Sequence, residues 1–243
     1  MRVFIAGTSF FPEEWKDITP LYVLESFYYF KDWQTRFITD CKMFLLDSGA
    51  FTFLNNVGKE VDFDEYLQSY IKFINKYDIK CFFELDIDSV VGYEKVKEMR
   101  QELERGTGKK CIPVWHKSRG LDEWKRLTSE YDYVALGGIA IKEIKQKEYK
   151  YFTPMLKIAT DNNCQVHGLG FTNMKGLKKY RFNSVDSTSW ITGVKYVSTY
   201  QFTGDSLVML KKPEEKRLSN YMGLAAHNLK EWLKFQKYAD THL

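Results

Sequence analysis

Short apolar runs alternate with longer amphipathic ones along the whole chain, and that alternation is the strongest constraint on its fold. The short runs are Arg2–Ala6 (RVFIA), 43–46 (MFLL), 81–85 (CFFEL), 111–115 (CIPVW), Tyr133–Leu136 (YVAL), 164–167 (CQVH) and 183–186 (NSVD). An eighth falls at either 196–202 or 206–210. Several end in Gly, Asp or Ser, as parallel strands buried on both faces do. Between them, residues 63–77 keep apolar side chains at i, i+3, i+4 and i+7, with Asp62 and Glu65 spaced as a helix capping box. Residues 121–129 and 151–161 read as shorter helices, and Asn228 with Glu231 repeats the capping signal before a final one. About eight strand–helix alternations predict an α/β fold, a single (β/α)8 TIM-type barrel.

Composition narrows the class. The chain has 243 residues, 44% of them hydrophobic and 28% charged, which excludes a disordered or collagen-like chain. No linker or repeat divides it, so residues 1–243 are expected to form one domain. No run approaches the ~20 apolar residues of a membrane span, and the N-terminus lacks a signal-peptide pattern. A cytoplasmic protein with no membrane partner is expected. Cys41, Cys81, Cys111 and Cys164 are scattered without a C-x-x-C pair, which predicts neither disulfides nor a metal site. A net charge of +4 is compatible with nucleic acid without requiring it.

In a barrel of this kind the chemistry stands at the carboxyl ends of the strands. MFLL is followed by Asp47-Ser48-Gly49, CFFEL by Asp86 and Asp88, CIPVW by His116, YVAL by Gly137-Gly138 and CQVH by Gly168-Leu169-Gly170; the seventh run ends at Asp186. Each has a plainer reading as a turn, a cap or a hydrogen-bonded core residue. Three carboxylates gathered at one rim are costly to bury unpaired, which favours a site. The glycine pairs let backbone N–H groups approach a flat ligand. Phe51, Phe53, Trp115 and Phe171 are candidate stacking faces. Lys175, Lys178, Lys179 and Arg181 before the last of these strands, with Lys195 after it, are candidate phosphate contacts.

The ordered set LLDSGAF, an acidic strand end, PVWH, ALGGIA, HGLGF and SVDSTSW resembles the tRNA-guanine transglycosylase superfamily from Met43 to Trp190. The short length and the VDSTSW form are most similar to the small phage-type, DpdA-like branch that exchanges guanine in DNA for a 7-deazaguanine. The resemblance implies Asp186 as nucleophile, Asp47 as acid/base, and Asp86 or Asp88 as reader of the guanine edge. It also implies Gly137 and Gly138 as backbone contacts to the base, Gly168 and Gly170 as the loop closing over it, and Phe51 beside it. His116 stands where the tRNA enzymes carry Gln. Their C-x-C-x-x-C…H zinc appendage is missing, since no Cys lies among the residues after Trp190. The partners implied are DNA, or alternatively tRNA, and a free 7-deazaguanine base such as preQ0, with an accessory subunit or homodimer supplying missing contacts. No cofactor is implied. The rival readings are tRNA base exchange, a small-molecule glycosidase or nucleoside ribosyltransferase, and a non-catalytic nucleic-acid-binding barrel.

Overall fold

The computed structural model describes residues 1–49, 52, 61–211 and 221–243. Seven strands, β1 (Arg2–Ala6), β2 (Tyr22–Ser26), β3 (Met43–Asp47), β4 (Val114–Trp115), β5 (Tyr133–Leu136), β6 (Gln165–Gly168) and β7 (Ser184–Ser187), form one sheet in the order β3-β2-β1-β7-β6-β5-β4. Every neighbouring pair is parallel. Side chains alternate across the strands with period two. Val3, Ile5 and Val23 pack toward the helices, whereas Phe4, Ala6, Leu24, Leu45 and Ala135 fill the concave interior.

The expected closed eight-stranded barrel is met in part. The sheet curls until both of its edges face residues 81–85, and that segment meets them in isolated parallel bridges, Leu46 to Phe82 and Phe83 to Ile112. A regular eighth ladder does not form, for a local reason. Pro113 has no N–H, and the next donor, the Val114 N–H, is taken by the Glu84 carboxylate at 2.9 Å.

Two further expectations are corrected. The missing parallel strand is β2, whereas the two candidate runs near the C-terminus form β8 (Ser198–Phe202) and β9 (Leu207–Lys211), a separate antiparallel hairpin. β2 escapes the pattern because only short 3-10 turns, Thr8–Phe10 and Glu13–Trp15, precede it, and no amphipathic helix marks its start.

Helices cover the outer face: α1 (Phe37–Asp40), α2 (Phe63–Lys76), α3 (Asp88–Val91), α4 (Tyr93–Thr107), α5 (Gly120–Glu130), α6 (Phe152–Asp161), α7 (Met174–Lys179), α8 (Ser189–Lys195) and α9 (Tyr221–His242). In α2 the apolar spacing buries Leu67, Tyr70, Ile71 and Ile74, and the Asp62 side chain caps the N–H groups of Asp64 and Glu65. Asn228 and Glu231, read from sequence as the start of the last helix, lie in the middle of α9 and are buried. They serve the hairpin instead: Asn228 accepts from the Tyr200 N–H at 2.9 Å and Glu231 from the Phe202 N–H at 2.7 Å. Two polar side chains thus satisfy donors on one side of β8 that no strand pairs. Among the described residues no helix is long and apolar enough to cross a membrane.

Candidate active site

Parallel register brings the carboxyl ends of the strands to one rim, and a cavity of about 330 Å³ opens there. Asp47 closes β3, Asp86 follows the bridged segment, His116 follows β4, and Asp186 lies within β7; all four line the cavity. Gly137, Gly138 and Gly170 line it as well, with Leu169 and 187–189 completing the wall.

The electrostatics of this cavity are unbalanced. Burial, with the nearby charges of Asp86 and Asp186, pushes the Asp47 carboxyl up from 3.8 to about 7, against hydrogen bonds from the Gly49 and Ser48 backbone. Burial of His116 opposes its charge, but the ring is held between two carboxylates. Its Nε2 lies 3.0 Å from Asp86 Oδ2 and its Nδ1 3.1 Å from Glu143 Oε2. These bonds outweigh burial and raise its pKa to about 10, making it an imidazolium at neutral pH. The hydrogen bond from His116 in turn lowers the pKa of Glu143, which also accepts from the Ser118 N–H at 3.0 Å.

Gly137 and Gly138 make this pairing sterically feasible. A Cβ on Gly137 would stand 2.9 Å from His116 Cε1, and one on Gly138 would stand 2.5 Å from Glu143 Oε2. Gly138 also adopts φ +80°, a conformation that favours glycine.

Asp186 is placed by hydrogen bonds to one oxygen. The Gly170 N–H donates to its Oδ1 at 2.6 Å, and His167 Nε2 lies 3.2 Å from the same atom. A carboxylate only accepts, so Nε2 is the donor. His167 is fully buried in the sheet interior, its Nδ1 lies 2.7 Å from Ser184 Oγ, and Ser184 meets the Tyr133 hydroxyl. Tyr133, Ser184 and His167, from β5, β7 and β6, therefore run in a row to Asp186 Oδ1, with Oδ2 outside the row.

Other sequence candidates lie elsewhere. Asp88 does not line the cavity; both its oxygens face Arg119, at 2.8 and 2.6 Å. Gly168 lies beneath the rim against Phe171 and Phe182. Trp115 and Phe171 are core residues: the Trp115 indole donates to the Gly120 carbonyl, and Phe171 packs among Phe152, Tyr180 and Phe182. Phe51 and Phe53 lie outside the described residues, as does the Lys195 side chain. α7 runs back from the rim, so Lys178, Lys179 and Arg181 precede the amino end of β7, away from the cavity, and Lys178 pairs with Asp205 at 2.6 Å. Lys175 lies near the start of α7 and is exposed.

Sequence reasoning assigned no role to His167 or Glu143. The histidine ends the run CQVH, and alternation alone turns it inward; Glu143 carries no local signal.

The fold and cavity define an α/β protein with an acidic site at the carboxyl ends of parallel strands. No family model matches the chain, and no curated protein matches it either.

Proposed function

We propose that the protein is a base-exchange transglycosylase that replaces guanine in DNA with a 7-deazaguanine through a covalent aspartyl-glycosyl intermediate. The observation that carries this reading is the convergence of Asp47, Asp86 and Asp186 on one cavity. In the same reading, the curled sheet is a (β/α)8 barrel whose fourth strand is reduced to its two bridges.

Breaking an N-glycosidic bond passes through a transition state with oxocarbenium character, which an adjacent carboxylate can trap. Asp186 Oδ2 attacks C1′ as the C1′–N9 bond breaks, and the departing guanine takes a proton from Asp47. The entering base gives its N9 proton back to Asp47, attacks C1′ and releases the Asp186 carboxylate. A carboxyl group with a pKa of about 7 suits both directions of that transfer near neutral pH. Asp86, steadied by His116, accepts hydrogen bonds from the N–H edge of the guanine, and a base lacking those donors leaves it unpaired. The nucleotide enters single-stranded or flipped from a duplex, because C1′ is unreachable within a stack.

The deciding experiment incubates the enzyme with single-stranded DNA, duplex DNA or tRNA and separates the products on a denaturing gel. Wild type yields a protein–DNA adduct that added competing base resolves, and Asp186→Asn yields none. An adduct of full intensity in Asp186→Asn moves the nucleophile elsewhere. An adduct with tRNA alone reassigns the substrate, and no adduct or labelled-guanine incorporation with any substrate ends the reading.

A further inference from the structure

Trp115 and Phe171, expected from sequence to stack on a base, are buried, yet other aromatic rings are exposed at the cavity mouth. Phe10 and Tyr29 are 63% and 52% exposed, and they end the turns Thr8–Phe10 and Phe27–Tyr29 that follow β1 and β2 directly. Gly7 separates Phe10 from Thr188, a cavity residue: carbons of the two stand 3.6 and 3.7 Å from where a Gly7 Cβ would be. Tyr28 presses on Gly49, two residues beyond Asp47, and its ring meets that of Tyr29 edge-on with centroids 4.9 Å apart. The rings therefore flank the side of the cavity that holds Asp47 and Asp186.

The loop after β5 lies across the cavity, because β5 is remote from β1 and β2 in the sheet order. It carries Ile141, a cavity residue, followed by the exposed Lys142, Lys145 and Lys147. The acidic side chains of that loop are engaged, Glu143 with His116 and Glu148 with Lys117. Lys175, in the first turn of the helix α7 that follows β6, adds a further exposed cation on this side. One flank of the mouth thus presents π faces and the other presents positive charge, the two surfaces that hold unpaired nucleic acid.

We propose that single-stranded nucleic acid crosses the cavity mouth with unpaired bases stacked on Phe10 and Tyr29 and its phosphates held by Lys142, Lys145 and Lys147. The proposal rests on the base-exchange reading for the nucleotide that enters between them. It replaces the lysines at the end of α7 as the backbone contact. A protein partner would fit the mouth less well, because the rings are separated from the lysines by an acidic cavity, whereas a strand spans that gap with one extruded nucleotide.

Fluorescence anisotropy with a labelled short oligothymidylate, measured over a range of salt, tests it without requiring turnover. The double variant Phe10→Ala with Tyr29→Ala should bind at least ~10-fold more weakly with little change in salt slope, because stacking is lost and phosphate contacts remain. Lys142→Glu with Lys145→Glu should weaken binding and flatten the slope, whereas Lys178→Glu with Lys179→Glu should stay within about twofold of wild type. Phe10→Trp should keep the affinity and show indole quenching on binding. Wild-type affinity in the aromatic double variant, a larger loss from the α7 pair, or tighter binding of a blunt duplex would each overturn the proposal. Failure of base exchange alone would not: Asp186→Asn, which forms no adduct, should still bind the oligonucleotide.

Discussion

Glu84, Asp86 and Asp88 belong to one short segment, yet they serve two regions with opposite electrostatic character. Below the rim, Glu84 is fully buried between Arg119 at 2.7 Å and Arg100 at 2.9 Å, and Arg119 also grips Asp88. Two carboxylates meet two guanidiniums there, and the charges balance. In the cavity, Asp47, Asp86 and Asp186 share the wall with one imidazolium, His116, which is paired to Asp86 and to Glu143 beside the cavity. Burial together with the charges of Asp86 and Asp186 raises the pKa of Asp47. A matched cluster fixes the backbone on both sides of Asp86, while an unmatched one stores a demand for protons or for a cationic ligand. In the proposed reaction an oxocarbenium-like sugar would answer the second demand. Carboxylates mark both regions, whereas counting their cationic partners separates the two.

The sharpest test of the contrast is Asp186→Asn, which should lower base exchange at least ~10⁴-fold, as loss of a covalent nucleophile does. Its thermal melting should remain close to wild type, since Asn keeps the acceptor facing Gly170; a large drop in melting temperature would make Asp186 a structural residue.

Glu84→Gln should come next, costing about 3–5 kcal/mol in urea denaturation because it leaves the buried Arg100 guanidinium without a carboxylate and takes one of two from Arg119. Asp86→Asn should cost far less, since it relieves repulsion as it breaks one bond to His116. Equal costs at the two positions would abolish the distinction between the regions.

Asp47→Asn should act in the opposite sense. The folded pKa of Asp47 lies above its unfolded value, so the native state holds a proton that the unfolded chain releases between about pH 4 and 7. Raising the pH through that window lowers wild-type stability. The Asn variant should therefore be the more stable at pH 8, by at most about 4 kcal/mol, with the gap closing by pH 4. Its exchange rate should nevertheless fall ~10²–10⁴-fold. Parallel stability curves across that range would remove the charge surplus from the account.

The smallest effect belongs to Tyr133→Phe, which removes the far end of the row leading to Asp186. A loss of about 1 kcal/mol in stability is expected, with base exchange reduced less than ~10-fold. A loss rivalling that of Asp186→Asn would give the row a direct part in chemistry.

The sequence exposes what depends on local pattern and conceals what depends on partners. Runs such as Tyr133–Leu136 and the spacing of 63–77 announce their elements because burial on a strand or one helix face leaves a periodic trace. The carboxyl ends of those runs then place Asp47, Asp86, His116 and Asp186 at one rim. β2 stayed hidden in an aromatic stretch, and Asn228 with Glu231 imitated a helix start while serving a strand. The choice between Asp86 and Asp88 depended on Arg119, some thirty residues away in sequence. Lys178 and Lys179 precede the Asp186 strand closely in sequence, but they end α7 where that strand begins, at its amino end rather than at the rim. Side chains whose roles are set by long-range pairing leave no periodic trace.

The row from Tyr133 through Ser184 and His167 to Asp186 has one more consequence. Burial keeps the tyrosine hydroxyl protonated, with a pKa of about 12, so its far end cannot discharge near neutral pH. In the proposed reaction Asp186 would become an ester, its carboxylate charge would vanish, and each hydrogen bond back along the row would lose part of its polarisation. Tyr133 would then serve as a remote gauge of that covalent state, legible in the vibrational frequency of a phenol outside the cavity.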